Sequence, residues 1–219
     1  MSGVGFSILL VVGFILATGT FPEDNKAPDA DWIKVLSSSS DRAKIIAGAY
    51  VMFVAGLLFL WFAASIRADV RARQSKPSVL STVSIASAIV FVSMLLIGAL
   101  AVAAVPASIT FGDGPVPGAD FIRQFSQLGI GAILAPGGLA AALFVASTSR
   151  LGVIAGLFSR GLAIVGYVAA VLWVFGAMFL PFLALPLWAI IVGIALARQA
   201  TPATASEVPT SSASTTTAV

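Results

Sequence analysis

Long apolar stretches without a single charged residue dominate this chain. No Asp, Glu, Lys, Arg or His occurs in residues 4–20, 45–66, 78–105, 128–148 or 162–197. An α-helix needs about 20 apolar residues to cross the hydrocarbon core of a bilayer. The sequence therefore predicts an all-α fold, a polytopic transmembrane helical bundle.

The composition fits a chain that lies mostly within a membrane. Hydrophobic residues make up 59% of the sequence and charged residues 10%, and the mean hydropathy is +1.05. Soluble domains contain about 25% charged residues. The small excess of basic residues is sorted between the loops, so we do not interpret it as a nucleic-acid-binding signal and predict no nucleic-acid partner.

The sequence contains neither cysteine nor histidine. Without cysteine, disulfides, thiol chemistry and thiolate metal sites are excluded. Without histidine, the usual general base and the commonest zinc ligand are missing. We therefore predict a non-enzymatic protein with no cofactor, no metal site and no catalytic residue.

Charged residues and prolines delimit the second and third stretches. Lys44 precedes and Arg67 follows the second stretch, whereas Pro77 and Pro106 flank the third. Proline is common at helix boundaries, because it lacks an N–H group and restricts the residue that precedes it. We therefore expect the third helix to end at Pro106.

The last apolar stretch, 162–197, is too long for one crossing. As a single helix it would reach roughly 50 Å, whereas the hydrocarbon core is about 30 Å thick. Pro181 and Pro186 predict a turn within it. Five spans, with a long and kinked last helix, are the alternative to six. The six predicted spans are 4–20, 45–66, 78–105, 128–148, 162–180 and 185–197.

These spans form one predicted domain, residues 1–198. The tail that follows, 199–219, is rich in Ser and Thr, and we expect it to be disordered because it cannot bury enough apolar area. The first span could instead be a signal peptide cleaved near Ala17-Thr18-Gly19. No positively charged segment precedes it, so we favour a retained helix.

Basic residues predict the orientation. Arg67, Arg71, Arg73 and Lys76 stand close together after the second span and are opposed only by Asp69. Cytoplasmic loops are enriched in Lys and Arg. We therefore expect a multi-pass protein of the cell membrane with both termini in the cytoplasm and the acidic loops outside.

A Pro-Gly-Gly sequence lies in the middle of the fourth span. Pro136 removes a backbone donor, and Gly137 and Gly138 add conformational freedom, so we predict a kink there. Discontinuous helices near the midplane often form transporter sites. The same three residues are therefore our candidate for a groove.

Small residues recur at helical spacing in two spans. Gly48 and Gly56 lie on one face of the second span, and Ser81, Ser84 and Ser87 follow one another at every third residue. Small residues allow helices to approach closely. We predict helix packing at both places, with a polar groove along the serines as the alternative.

The first loop contains the segment PDADWIKVL (28–36), for which we predict a short helix on the outer membrane surface. Asp29 and Asp31 come first, where carboxylates favour a helix N-terminus. Trp32 is predicted to be an interfacial anchor, because tryptophan is enriched at membrane–water interfaces. A partner or lipid contact is the alternative.

Three segments carry a resemblance to known proteins. They are SSDRAKIIAGAYVMFVAGLLFLWFAASIR (39–67), RLGVIAGLFSRGLAIVGYVAAVLWV (150–174) and LPLWAIIVGIALAR (185–198). Together they resemble a group of uncharacterised actinobacterial six-helix integral membrane proteins. Where that group often has Pro-Arg-Trp, this chain has Ser159-Arg160-Gly161. The resemblance implies a six-helix membrane protein and no particular activity.

Three functions are compatible with these patterns. The leading hypothesis is an accessory or scaffold subunit of a membrane complex, packing against other membrane proteins through small-residue faces. The alternative is a protein that binds or transports lipids or small hydrophobic molecules in a groove at the broken fourth helix. An intramembrane enzyme ranks last, because only loop acids such as Asp41 and Asp120 are available. Ion-coupled transport is disfavoured, because the spans contain no ionisable residue.

Overall fold

The computed structural model describes residues 2–74, 78–174 and 183–199, which form eight α-helical segments. Within these ranges the fold is all-helical, as predicted. Three stretches, Ser39–Arg73, Val79–Gly112 and Ala119–Ile154, are long and apolar enough to cross a membrane, and three shorter helices are also apolar. The segments are α1 (Ser2–Thr18), α2 (Asp29–Ser37), α3 (Ser39–Arg73), α4 (Val79–Gly112), α5 (Ala119–Leu134), α6 (Pro136–Ile154), α7 (Arg160–Val174) and α8 (Ala184–Gln199).

Helix α3 shows how the charge pattern sets the length of a span. Ser38 caps the helix by accepting a hydrogen bond from the N–H of Asp41 at 3.3 Å. The charge-free part, 45–66, is about 33 Å long at 1.5 Å per residue, close to the thickness of a bilayer core. The helix then continues through its charged residues to Arg73.

The prediction that the third span ends at Pro106 is wrong. Helix α4 runs through this buried proline and ends at Gly112. A proline removes one backbone bond, but the residues after it can still bond, and apolar helices tolerate the loss where neighbouring groups satisfy the freed carbonyl. The helix stops where Asp113 adopts a left-handed conformation at φ 49°, and the N–H of Gly114 donates to the Ser108 carbonyl.

The fourth predicted span, 128–148, corresponds to two helices that together cover 119–154. They are interrupted at Ala135, whose φ of −84° and ψ of −81° are not helical. Pro136 is the first residue of α6, a position that needs no N–H donor. The earlier start at Ala119 reflects an amphipathic first half, in which Ile122, like Ile133 further along, is buried.

In the last apolar stretch the structure describes α7 as far as Val174 and α8 from Ala184, where the sequence predicts spans 162–180 and 185–197. The predicted end of the first of these spans lies outside the described residues. Pro186 lies in the first turn of α8, where a missing N–H costs little, and not in a turn between helices. Pro181 and most of the predicted tail, like Lys76 and Pro77, lie outside the described residues.

Aromatic side chains fill the centre of the bundle. The ring of Phe59 on α3 lies 4.6 Å from that of Phe6 on α1 and 4.9 Å from those of Phe91 on α4 and Phe144 on α6. Tilted and edge-on pairs at such distances add to the stabilisation from burial. One core therefore joins four helices.

Glycines let the neighbouring helices approach to backbone contact. A Cβ at Gly13 on α1 would lie 3.0 Å from the Gly48 carbonyl oxygen and 2.8 Å from Met52 Cγ on α3. Gly98 on α4 and Gly129 on α5 face one another in the same way. Close backbone approach of this kind is how helices associate in a lipid environment.

Candidate functional site

The Pro-Gly-Gly sequence sits where three helices meet. Pro136 is exposed, whereas Gly137 and Gly138 are buried. A Cβ at Gly137 would lie 3.3 Å from Met94 Cβ on α4, and a Cβ at Gly138 would lie 3.1 Å from the Trp173 ring on α7. The two glycines therefore make room for neighbouring helices, and the space at the break itself is occupied by protein.

An apolar groove begins immediately after the break and runs between α6 and α7. Its volume is about 310 Å³, at the lower end of the range for ligand-binding pockets. Exposed leucine and valine side chains form its walls, and small alanines lie between them. It is lined by Leu139, Ala142, Leu143, Ala146, Ala170, Val171 and Val174.

An arginine lies beyond the groove on each of its two helices. On α6, Arg150 follows Leu143 and Ala146 at spacings of seven and four residues, which places it on the same helix face. On α7, Arg160 precedes Val171 by 11 residues, about three turns, and lies about 15 Å along the helix axis from Ala170. Both arginines are exposed, and neither lines the groove itself.

The small residues singled out in the sequence lie at contacts between helices. Gly48 faces the backbone of α1 at Ala17, and a Cβ at Gly56 would lie 3.2 Å from Val92 on α4. Ser84 forms a 2.8 Å hydrogen bond with Thr148, which joins α4 to α6. Ser81 and Ser87 are likewise buried. These faces are occupied within the chain.

A second buried polar group lies close to these contacts. The Ser149 hydroxyl of α6 and the Trp188 indole N–H of α8 both approach the Cα of Gly166 on α7, and neither has a hydrogen-bond partner among the described residues. A Cβ at Gly166 would lie 2.9 Å from Trp188 Nε1 and would overlap Ser149 Oγ. Glycine is therefore required where α6, α7 and α8 meet.

Trp32 is not exposed to a membrane interface, so its predicted role as an interfacial anchor is wrong. Only 1% of its surface is accessible, and its ring stacks on Phe21 at 5.8 Å between centroids. Leu36, one turn later, is completely buried. The apolar face of α2 covers the end of the bundle, so Trp32 fastens α2 to the protein.

Arg123 is the residue that sequence reasoning missed. It donates to Asp29 on α2 at 3.0 Å, to Asp120 at 2.6 Å and to the Ala27 carbonyl at 3.4 Å. Its guanidinium also lies 5.4 Å from the centre of the Trp32 ring, within the range of cation–π attraction. The spacing of Asp120 and Arg123 signals one ion pair, but Asp29 is 94 residues away in sequence.

Arg42 makes a second connection at the same end. Its Nη1 donates to the Leu36 carbonyl at 2.6 Å and its Nε to Thr110 Oγ1 at 3.2 Å, which joins α3 to the ends of α2 and α4. Arg123 and Arg42, with α2 between them, form what we call the polar cap.

Comparison with known proteins does not test the resemblance to actinobacterial six-helix membrane proteins, which stays a prediction. The chain matches no protein-family model, no curated protein and no solved structure. Within the described ranges no three acidic side chains are grouped so that they could hold a metal ion. The groove between α6 and α7 is therefore the candidate site that the geometry itself supplies.

Proposed function

We propose that this chain is a multi-pass protein of the cell membrane that binds the acyl chain of an anionic phospholipid between α6 and α7. The observation that carries the proposal is the apolar groove, with an exposed arginine, Arg150 or Arg160, further along each of its two helices towards the same end of the bundle. The three long apolar helices support the membrane location.

The distribution of charge supports the orientation. Arg67, Arg71, Arg73, Arg150 and Arg160 lie towards one end of the bundle, and the polar cap with its acidic neighbours lies at the other. Basic residues favour the cytoplasmic side. The arginine-bearing end and both termini are therefore cytoplasmic in this proposal.

The groove suits a hydrocarbon chain because its lining is aliphatic. A methylene chain in the groove makes dispersion contacts with both walls. These contacts replace those that the exposed walls would otherwise make with other lipids. Guanidinium groups form strong, often bidentate hydrogen bonds with phosphate. A phospholipid with an anionic head group at the cytoplasmic surface offers both an acyl chain for the groove and a phosphate for the arginines. Such binding needs no catalytic residue, so we propose a non-enzymatic role.

An accessory or scaffold subunit is our second candidate. The small-residue faces expected to bind partners are occupied within the chain, so a partner needs another surface. Helix α3 offers a stripe of exposed side chains at spacings of four, three and four residues. The stripe consists of Tyr50, Val54, Leu57 and Trp61.

Native mass spectrometry of the protein extracted in mild detergent tests the leading proposal. We expect wild type to retain an anionic phospholipid and Leu143→Trp, which fills the groove, to lose it. Leu57→Trp, at a site on the α3 stripe that is 63% exposed against 51% for Leu143, is the matched control and should keep the lipid. Equal lipid content in all three proteins would contradict a site in the groove.

Replacing the two arginines tests the head-group contact separately. Arg150→Gln with Arg160→Gln should lower the preference for anionic over zwitterionic lipid at least several-fold while some lipid remains bound. Arg71→Gln with Arg73→Gln removes the same charge from α3 and should leave the preference unchanged. Equal losses in the two double variants would show a general effect of charge.

A further inference from the structure

The middle of α3 provides a reference level within the bundle. Gly56 lies halfway along the charge-free part of α3, residues 45–66. On α4, Val92 and Leu95 lie beside it, since a Cβ at Gly56 would be 3.2 Å and 3.7 Å from their side chains. In a membrane-spanning bundle this level is the bilayer midplane.

The break between α5 and α6 lies at the same level. Gly137 contacts Met94, which is adjacent to the α4 residues beside Gly56. Helix α7 reaches that level and is described no further. Trp173 packs on Gly138, with its carbonyl oxygen 3.8 Å from the Cβ position, and Val174 follows it.

Helix α8 begins near this level too. Its Pro186 carbonyl accepts a 2.9 Å hydrogen bond from Ser7 on α1. A Cβ at Gly5, two residues from Ser7, would lie 3.5 Å from Leu58, which is two residues from Gly56 on α3. Leu183, at the start of α8, is therefore within about one helical turn of the midpoint.

We infer that the described parts of α7 and α8 are the two arms of a re-entrant hairpin: α7 runs from the arginine-bearing end to the midplane at Val174, and α8 runs from the midplane near Leu183 back to the same end. The inference rests on the membrane location proposed above. Eight residues, 175–182, connect Val174 to Leu183. Fully extended, this connection reaches about 30 Å. To cross to the far end, the chain would have to run from the level of Gly56 to that of Lys44 and back. That path is roughly 36 Å along the helix axis, and the lateral distance between the two helices adds to it.

The hairpin changes the span count without changing the orientation. Among the described helices, α1, α3, α4 and the α5–α6 pair then cross completely, whereas the described parts of α7 and α8 occupy only the cytoplasmic half. The groove between α6 and α7 therefore begins at the midplane and opens towards the cytoplasmic leaflet alone.

Depth measurements on single cysteines test the hairpin, and the chain contains no native cysteine to remove. Val174→Cys and Leu183→Cys, 52% and 44% exposed, would carry spin labels in reconstituted phosphatidylcholine–phosphatidylglycerol vesicles. Label depth follows from the relative accessibility to oxygen and to a water-soluble nickel chelate. Leu57→Cys is the midplane control, and Phe121→Cys, near the polar cap, is the surface control.

We expect the labels at Val174 and Leu183 to be as deep as the label at Leu57, within about 5 Å, and the label at Phe121 to be shallow. If the labels at Val174 and Leu183 are as shallow as the label at Phe121 while the label at Leu57 is deep, the hairpin is overturned and complete crossings are established. A shallow label at Leu57 would instead overturn the membrane location itself. Val171→Cys and Leu187→Cys, also exposed, provide a second pair that should give the same depths if a label perturbs the first.

Discussion

The two ends of the bundle treat their charges differently. At the polar cap, Arg123 is held by two carboxylates, a carbonyl and the face of Trp32. At the other end, no arginine forms an ion pair within the part of the chain that the structure describes. One end is thus closed by the protein's own side chains, whereas the arginines of the other end have no carboxylate partner among the described residues.

Removing the buried aromatic of the polar cap should have the largest effect. Trp32→Ala should lower the free energy of unfolding by about 3–5 kcal/mol, because it leaves a cavity under α2. Trp61→Ala is the matched control, since that ring is 74% exposed, and it should cost less than about 1 kcal/mol. Denaturant titration in mixed micelles provides the comparison, and equal losses would mean that α2 does not close the bundle.

Removing the charge of the polar cap should have an intermediate effect. Arg123→Gln should cost about 1–3 kcal/mol, because it breaks charge-assisted hydrogen bonds and leaves Asp29 and Asp120 without their partner. Arg150→Gln should cost no more than about 0.5 kcal/mol in the same titration. A larger loss for Arg150→Gln would refute the contrast between the two ends.

Raising the salt concentration should have the smallest effect on the free energy of unfolding. Raising the ionic strength screens the exposed carboxylates that pair with Arg123, so wild type should lose less than about 1 kcal/mol. Arg123→Gln should show a smaller dependence on salt, because it no longer has those pairs. Parallel slopes for the two proteins would indicate that Arg123 contributes through packing and its neutral hydrogen bonds.

The sequence predicted which segments are helical because a charge-free run of about 20 residues constrains the backbone strongly. It was less reliable at helix ends. Pro106 predicts a helix end, but whether a proline ends a helix depends on which neighbours satisfy the freed carbonyl. The start of α5 was missed because its first turns are amphipathic and contain Asp120 and Arg123.

Contacts between distant segments were beyond sequence reasoning. The pattern around Trp32 correctly indicated a short amphipathic helix, yet a lipid surface and a protein surface both accept such a face. Arg123 gave no sign of reaching Asp29. The groove between α6 and α7 depends on which faces of two helices meet, and helical periodicity within each does not specify that pairing.

The position of α1 constrains the order in which the molecule can be assembled. Helix α1 contacts α3 through Gly13 and Gly48, and it contacts α8 through Ser7 and Pro186. The chain can pair α1 with α3 early in synthesis, because α3 is the next long helix to leave the ribosome. Ser7 receives its partner on α8 only after a further 179 residues have been added. A chain interrupted before α8 would therefore expose this flank of α1.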